Sequence, residues 1–218
     1  MKKRTFGLSL EAVEDIIPVG SVLDVGCATG FFLEAALERG WAAYGVEPNP
    51  YAYEQARREF GDRVFLGTIE TGSINGLSFD VIFMFDVLEH VRDPLGTLVR
   101  AGALLRNGGL VAIATPDIAS MSARLLGRRW PHLKSEHQFY FSSHSLSRLL
   151  ARAGFRTLLV RRALKALSLN YIHAQRSATP VPVLTPVASA LCRCLPDFIR
   201  RKPIYFHTGE LFLVAEKS

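Results

Sequence analysis

Cysteine is scarce in this chain. Only Cys27, Cys192 and Cys194 occur in 218 residues. Three thiols build no even disulfide framework, and Cys192-Arg193-Cys194 is too tight for a usual zinc pair. Reduced, buried thiols in a cytoplasmic setting are therefore expected, with no metal site. No secretion is expected either, since the basic start Met1-Lys2-Lys3-Arg4 is followed by no apolar signal core. Low-complexity tracts are absent. The apolar stretch in the C-terminal third is broken by Pro180, Pro182 and Pro186 and interrupted by Arg193, which excludes a membrane span. What remains, 49% apolar and 21% charged residues, suits one globular domain, residues 1–218, able to bury a substantial core.

Charge is unevenly placed. From Arg152 onward there are 11 Lys and Arg against three acids, whereas residues 1–151 carry 15 against 17. The net charge of +6 thus belongs to the C-terminal third. Such asymmetry fits an anionic partner or an acidic substrate, and equally a solvated surface.

The most informative stretch is Ser21 to Phe32. A short apolar run, Val22–Val25, reads as a buried parallel strand followed by a helix from Phe31 to Arg39. The glycines at 26 and 30 make the intervening turn one that a ligand can approach, with backbone N–H groups and a helix N-terminus at the sheet edge. Asp24 is a carboxylate in an apolar strand end, and a buried charge requires a partner. The spacing D-x-G-x-x-x-G lacks the middle glycine of the dinucleotide fingerprint, which disfavours a nicotinamide oxidoreductase. An acid just before the turn suits a cationic ligand group better than a diphosphate.

A helix is expected over 8–17, and a second strand over Ala42–Glu47. Glu47 ends that strand 21 residues after Gly26, where an acid is placed to accept from ribose hydroxyls. A helix over 51–60, a third strand from Val64 and a fourth over 79–86 follow. Asp86, Glu89 and His90 then crowd the end of a central strand, where doubly wound folds place their crevice. Asp93 and Pro94 open a helix to about Arg106, and Asn107-Gly108-Gly109 turns into a fifth strand, 110–115. Residues 117–145 break the rhythm with Trp130, His132, His137 and several aromatics, a composition suited to a substrate lid and also to a satellite core. A helix over 145–153, a sixth strand over 155–161 and a closing strand over 209–216 complete the pattern. The long basic interval 162–207 lies between the last two strands.

Residues 21–116, with D-V-G-C-A-T-G, F-D-V-L-E-H-V-R-D-P-L and L-L-R-N-G-G-L in order, resemble the core of class I S-adenosylmethionine (SAM)-dependent methyltransferases. The second and third motifs resemble the branch related to ubiquinone-biosynthesis O-methyltransferases. Ala28 stands where that pattern usually has glycine. The resemblance implies an α/β, Rossmann-like, doubly wound seven-stranded sheet of order 3-2-1-4-5-7-6 with strand 7 antiparallel. It also implies SAM as cofactor. Asp24, Gly26, Ala28 and Gly30 would surround the methionine moiety, Glu47 would take the ribose, Thr68 and Ile69 would flank adenine, and Phe85 and Asp86 would line the far wall. The implied reaction is methyl transfer to a small-molecule, lipid-linked or sugar acceptor at a hydroxyl oxygen. His90 and His137 are the two candidates for a base, because imidazole titrates near neutrality. A catalytically silent module that binds SAM or a partner protein is the alternative. Nothing in the chain matches a nucleic-acid-binding module, so no nucleic acid is expected. Residues 180–202 could touch the inner face of a membrane, cap the pocket or form a homodimer face.

Overall fold

The computed structural model describes residues 2–72, 74, 76–167 and 204–218. Seven strands form one sheet in the order β3-β2-β1-β4-β5-β7-β6. They are β1 (Ser21–Val25), β2 (Ala42–Glu47), β3 (Val64–Leu66), β4 (Phe79–Phe85), β5 (Leu105–Pro116), β6 (Phe155–Leu167) and β7 (Ile204–Lys217). β1 to β5 run parallel, and β7 inserts antiparallel between β5 and β6. The helices are α1 (Lys2–Glu14), α2 (Phe31–Glu38), α3 (Pro50–Phe60), α4 (Pro94–Leu104), α5 (Met121–Leu126) and α6 (Ser143–Arg152).

The core divides along the pleat. In β4, Ile82 and Met84 join Leu98, Leu146 and Phe155 on one face, while Val81 and Phe83 join Phe32, Leu33 and Trp41 on the other. Successive strand side chains point to opposite faces, so a run that is apolar at every position must be covered twice. Helix starts follow their sequence signals. The Asn49 side chain accepts from the Tyr51 and Ala52 amides, Asp93 accepts from Gly96, and Ser142 and Ser145 form a reciprocal cap.

The largest differences from the expected boundaries come through tertiary contacts. Helix α1 begins six residues early, since Lys3 pairs with Glu34 and Glu38 and Phe6 packs against Phe32 and Phe85. Strand β5 begins at Leu105, which pairs with Phe79, and absorbs the expected Asn107-Gly108-Gly109 turn with Gly108 at φ 71°. Strands β6 and β7 pair from Phe155↔Lys217 as far as Leu167↔Ile204. The expected insertion over 162–207 is therefore strand at both its ends. The expectations for 180–202, Cys192 and Cys194 lie outside the described residues. No helix among the described residues is long and apolar enough to cross a membrane.

Candidate active site

The turn after β1 is built by backbone crossing to β2. The Gly26 and Cys27 amides donate to Val46 O at 2.8 and 3.2 Å, and Ala28 N–H donates to Glu47 Oε2 at 2.8 Å. Those three amides are therefore engaged by the protein itself, contrary to the expectation of free donors at this turn. Gly26 and Gly30 sit at φ 74° and 89°, and a Cβ on Gly30 would lie 2.2 Å from the Phe60 ring. Ala28 also has positive φ, 48°, the conformation for which glycine carries no steric penalty.

Glu47 is buried at the end of β2. Its other oxygen accepts from the Asn49 amide at 2.8 Å, so one carboxylate ties the β1 turn to the entrance of α3. Each oxygen retains a second lone pair for a ligand hydroxyl. Asp24 is 4% exposed, and no described residue donates a hydrogen bond to it, which corrects the expectation of a protein partner. Burial first, and then the neighbouring Glu47 charge, push its carboxyl well above the ordinary range. The same forces, burial ahead of the Asp24 and Glu47 charges, push the Cys27 thiol up and leave it inert.

A cavity of about 680 Å³ opens at the carboxyl edge of the sheet. Gly26, Glu47, Thr68, Ile69, Asp86 and His90 line it. Asp24, Ala28, Gly30 and His137 are not among its lining residues. Neither is Phe85, whose ring packs with Phe6, Phe32 and Phe83 on the other face of the sheet. Pleat alternation turns Phe85 away, and the left-handed backbone of Asp86 (φ 54°) then places that residue at the cavity. Thr68 is held by Thr71, its amide donating to the Thr71 hydroxyl at 3.0 Å. Glu70 accepts from Thr97 at 2.6 Å; burial raises its carboxyl, but Thr97, Thr68 and Arg100 outweigh that and hold it below the usual range.

On the other side lies a cluster that sequence spacing conceals. The segment 136–139 is hydrogen-bonded to Glu89 and His90. Gln138 and Phe139 donate their amides to Glu89 O, the Gln138 side chain donates to His90 O, and His90 Nδ1 lies 3.2 Å from Glu136 O. The His90 and His137 rings meet edge to face at 4.6 Å. Glu89, His90 and His137 each place a ligand atom within 4.8 Å of the others, a set that could hold a divalent cation. Glu89 Oε2 accepts from Thr115 at 2.9 Å, whereas Glu89 Oε1 and His137 Nδ1 are buried without partners among the described residues. Burial chiefly raises the Glu89 carboxyl to about 7, and burial followed by the His90 charge lowers His137. Sequence reasoning missed Glu210 and Lys165: Lys165 lies 3.8 Å from Asp86 and pairs with Glu210, which also meets His132 of the lid-like segment. Glu210, an acid inside an apolar strand, was the one available signal.

The family model described as a methyltransferase domain matches residues 3–160. The ubiquinone biosynthesis O-methyltransferase of Methylocella silvestris is 30% identical over 144 residues, covering 61% of this chain and 56% of that protein. The chain spans about half the length of the curated relatives it matches. Among solved structures, a SAM-dependent methyltransferase from Thermotoga maritima superposes with a TM-score of 0.62 at 24% identity, covering 99% of this chain and 91% of the other. The magnesium protoporphyrin IX methyltransferase of Synechocystis, solved with S-adenosylhomocysteine (SAH) bound, gives 0.63 at 13% identity, covering 100% and 84%. The residues present fit SAM: the undonated, buried Asp24 carboxylate wants a cation, and Glu47 stands at the cavity with acceptor capacity to spare. With sheet order, glycine turn and strand-end acid in agreement, the chain belongs to the methyltransferase domain family of class I SAM-dependent methyltransferases.

Proposed function

We propose that the protein moves a methyl group from SAM to a hydroxyl oxygen of a small-molecule, lipid-linked or sugar acceptor. The observation that carries this reading is the continuity of the site. Asp86 and His90 line the same cavity as Gly26 and Glu47, and His90 touches His137. Bound SAM supplies a methyl on a sulfonium, open to in-line displacement by the acceptor oxygen. Glu47 would accept from the ribose hydroxyls, Thr68 and Ile69 would flank the adenine, and Asp24 would face the methionine ammonium. The remaining Glu47 bonds, to Ala28 and Asn49, hold both loops around the ligand. Residues 117–145, closed onto Glu89 and His90, act as a lid on the acceptor side and exclude water. Positioning alone can supply several orders of magnitude. His137, kept neutral by burial and by its histidine neighbour, or the adjacent His90, takes the hydroxyl proton.

A second reading has its own support. Glu89 Oε1 and His137 Nδ1, unpartnered among the described residues, converge with His90, so a divalent cation there would take the place of the base by lowering the pKa of a bound hydroxyl. Titration calorimetry with SAM and SAH, followed by acceptor screening with methyl-labelled SAM with and without Zn²⁺ or Mg²⁺, tests both readings. Micromolar binding with label transfer independent of metal supports the histidine base, and metal-dependent transfer supports the second. SAH binding without transfer to any acceptor favours the silent module, and no binding of either ligand by folded protein removes the cofactor assignment.

A further inference from the structure

Helix α1 is poorly suited to stand alone. Its first turn carries Lys3 and Arg4 with no acid, and its last turn carries Glu11 and Glu14 with no base. Those charges oppose the helix dipole at both ends. Gly7 lies near the middle, where a Cβ would meet nothing within 4 Å, so no close approach requires glycine there. Glycine weakens a helix interior by about fivefold relative to alanine. Other elements must therefore hold α1 in place.

The two halves of the helix are held differently. In the C-terminal half Leu10 and Val13 are fully buried, and Glu14 accepts from Arg39 and Trp41, each at 2.9 Å. No side chain of residues 3–8 is buried. That half is held by Lys3 on Glu34 and Glu38, by Thr5 Oγ1 accepting from the Ala166 amide at 3.0 Å, and by Leu8 O accepting from Arg161 at 2.8 Å. The Phe6 ring completes the set, edge-on to Phe32 at 5.6 Å and to Phe85 at 5.0 Å. Phe32 lies two residues beyond Gly30, which ends the glycine turn in left-handed backbone with no side-chain cap. Phe85 immediately precedes Asp86, the left-handed residue at the cavity. One half-buried ring thus backs the glycine turn and the Asp86 corner together, from the face of the sheet away from the cavity. A segment that is weak alone and attached by partly exposed groups opens at a free energy below that of global unfolding.

We infer that the seating of residues 3–8 is thermodynamically linked to cofactor binding, with Phe6 as the positioning residue that holds the glycine turn and Asp86 in their binding arrangement. Cofactor in the cavity fixes the same two corners and so favours the seated helix. By reciprocity, the seated helix raises cofactor affinity. The inference goes beyond the proposed methyl transfer and rests only on the cofactor occupying this cavity.

The test combines hydrogen exchange and titration calorimetry on the full chain, with SAH as the probe. Saturating SAH should slow exchange in the first two turns of α1 by about fivefold or more, selectively over elements remote from the cavity. Phe6→Ala should weaken SAH by about fivefold or more, and Phe6→Leu, which keeps an apolar wedge, by less than about twofold. Adding Gly7→Ala to Phe6→Ala should recover SAH affinity several-fold, because it favours the helix without touching the cavity. If Phe6 served packing alone, Gly7→Ala would raise Tm and leave SAH affinity where Phe6→Ala had put it. Lys3→Gln, which removes the pairs with Glu34 and Glu38, should weaken SAH about twofold and tests the same link if Phe6→Ala does not fold. The inference is overturned by SAH binding that leaves α1 exchange unchanged or slows the whole chain alike, by wild-type affinity in Phe6→Ala and Lys3→Gln, or by no recovery with Gly7→Ala. A wild type that binds no SAH would instead remove the cofactor assignment, and this inference with it.

Discussion

Asp24→Asn should make the ligand-free protein more stable and its cofactor weaker. Asp24 lies between Gly45 of β2 and Phe83 of β4, is 4% exposed, and has no donor among the described residues. Holding an undonated polar group out of water costs about 1–3 kcal/mol, and here the Glu47 carboxylate adds like-charge repulsion. Asparagine removes the charge at nearly constant volume and offers an amide to Glu47. For a chain of this size each kcal/mol is worth about 2–4 °C in Tm. The pH dependence follows from linkage. Burial, then Glu47, raises the folded-state pKa of Asp24, so its proton is held more tightly in the folded state. Its contribution is complete below the unfolded value of about 4 and is lost as pH rises through the elevated folded value. The variant should lack that loss, and its Tm advantage should grow from pH 5 to pH 8. Binding should move the other way. Losing the carboxylate proposed to face the methionine ammonium should weaken SAH by about 10- to 100-fold. Circular dichroism melts with and without SAH at both pH values, with calorimetry at pH 7.5, measure both effects. A ligand-free variant less stable than wild type at pH 8, or one binding SAH with wild-type affinity, would refute the reasoning.

Glu47→Ala removes two ribose contacts to a charged acceptor and also orphans the Ala28 and Asn49 amides; SAH affinity should fall by about 100-fold or more in calorimetry, with a Tm lowered in the same preparation. His90→Ala and His137→Ala should each leave SAH affinity within about twofold, while the residue serving as base should lose about 10²- to 10⁴-fold in kcat, read by label transfer. Equal, small losses in both would mean that neither takes the proton. Burial raises Glu89 to about 7, so its stabilising share is present below about 4.5 and lost as pH rises toward 7. Glu89→Gln in EDTA should flatten that decline, worth up to about 3 kcal/mol, in urea titrations at pH 5 and pH 8.

Much of the fold is legible in local pattern. The runs Val22–Val25, Ala42–Glu47 and Phe79–Phe85 are apolar where a two-sided sheet needs them, and Asn49, Asp93 and Ser142 mark helix starts through hydrogen bonds to residues two or three positions away. Glycines 26 and 30, with Glu47 at the next strand end, mark the carboxyl edge of the sheet for the same reason: a strand, its turn and the following strand are neighbours in both sequence and space. Helix α1 and the long β6–β7 pair were underestimated because their ends are held by distant residues, Phe32 and Glu34 for the one and each other for the second.

By itself, then, the sequence determined the alternating strand–helix order, the turn at Gly26–Gly30 and the acid at Glu47, all consequences of short-range periodicity and backbone freedom. The tertiary structure alone decided that Asp24 goes without a donor, that Phe85 turns away from the cavity, and that His137 meets Glu89 and His90. It alone placed Lys165, paired with Glu210, beside Asp86. Residues 89, 137, 165 and 210 come together only because four separate connections end at one edge of one sheet, and that convergence is a property of the closed chain, which no local spacing records.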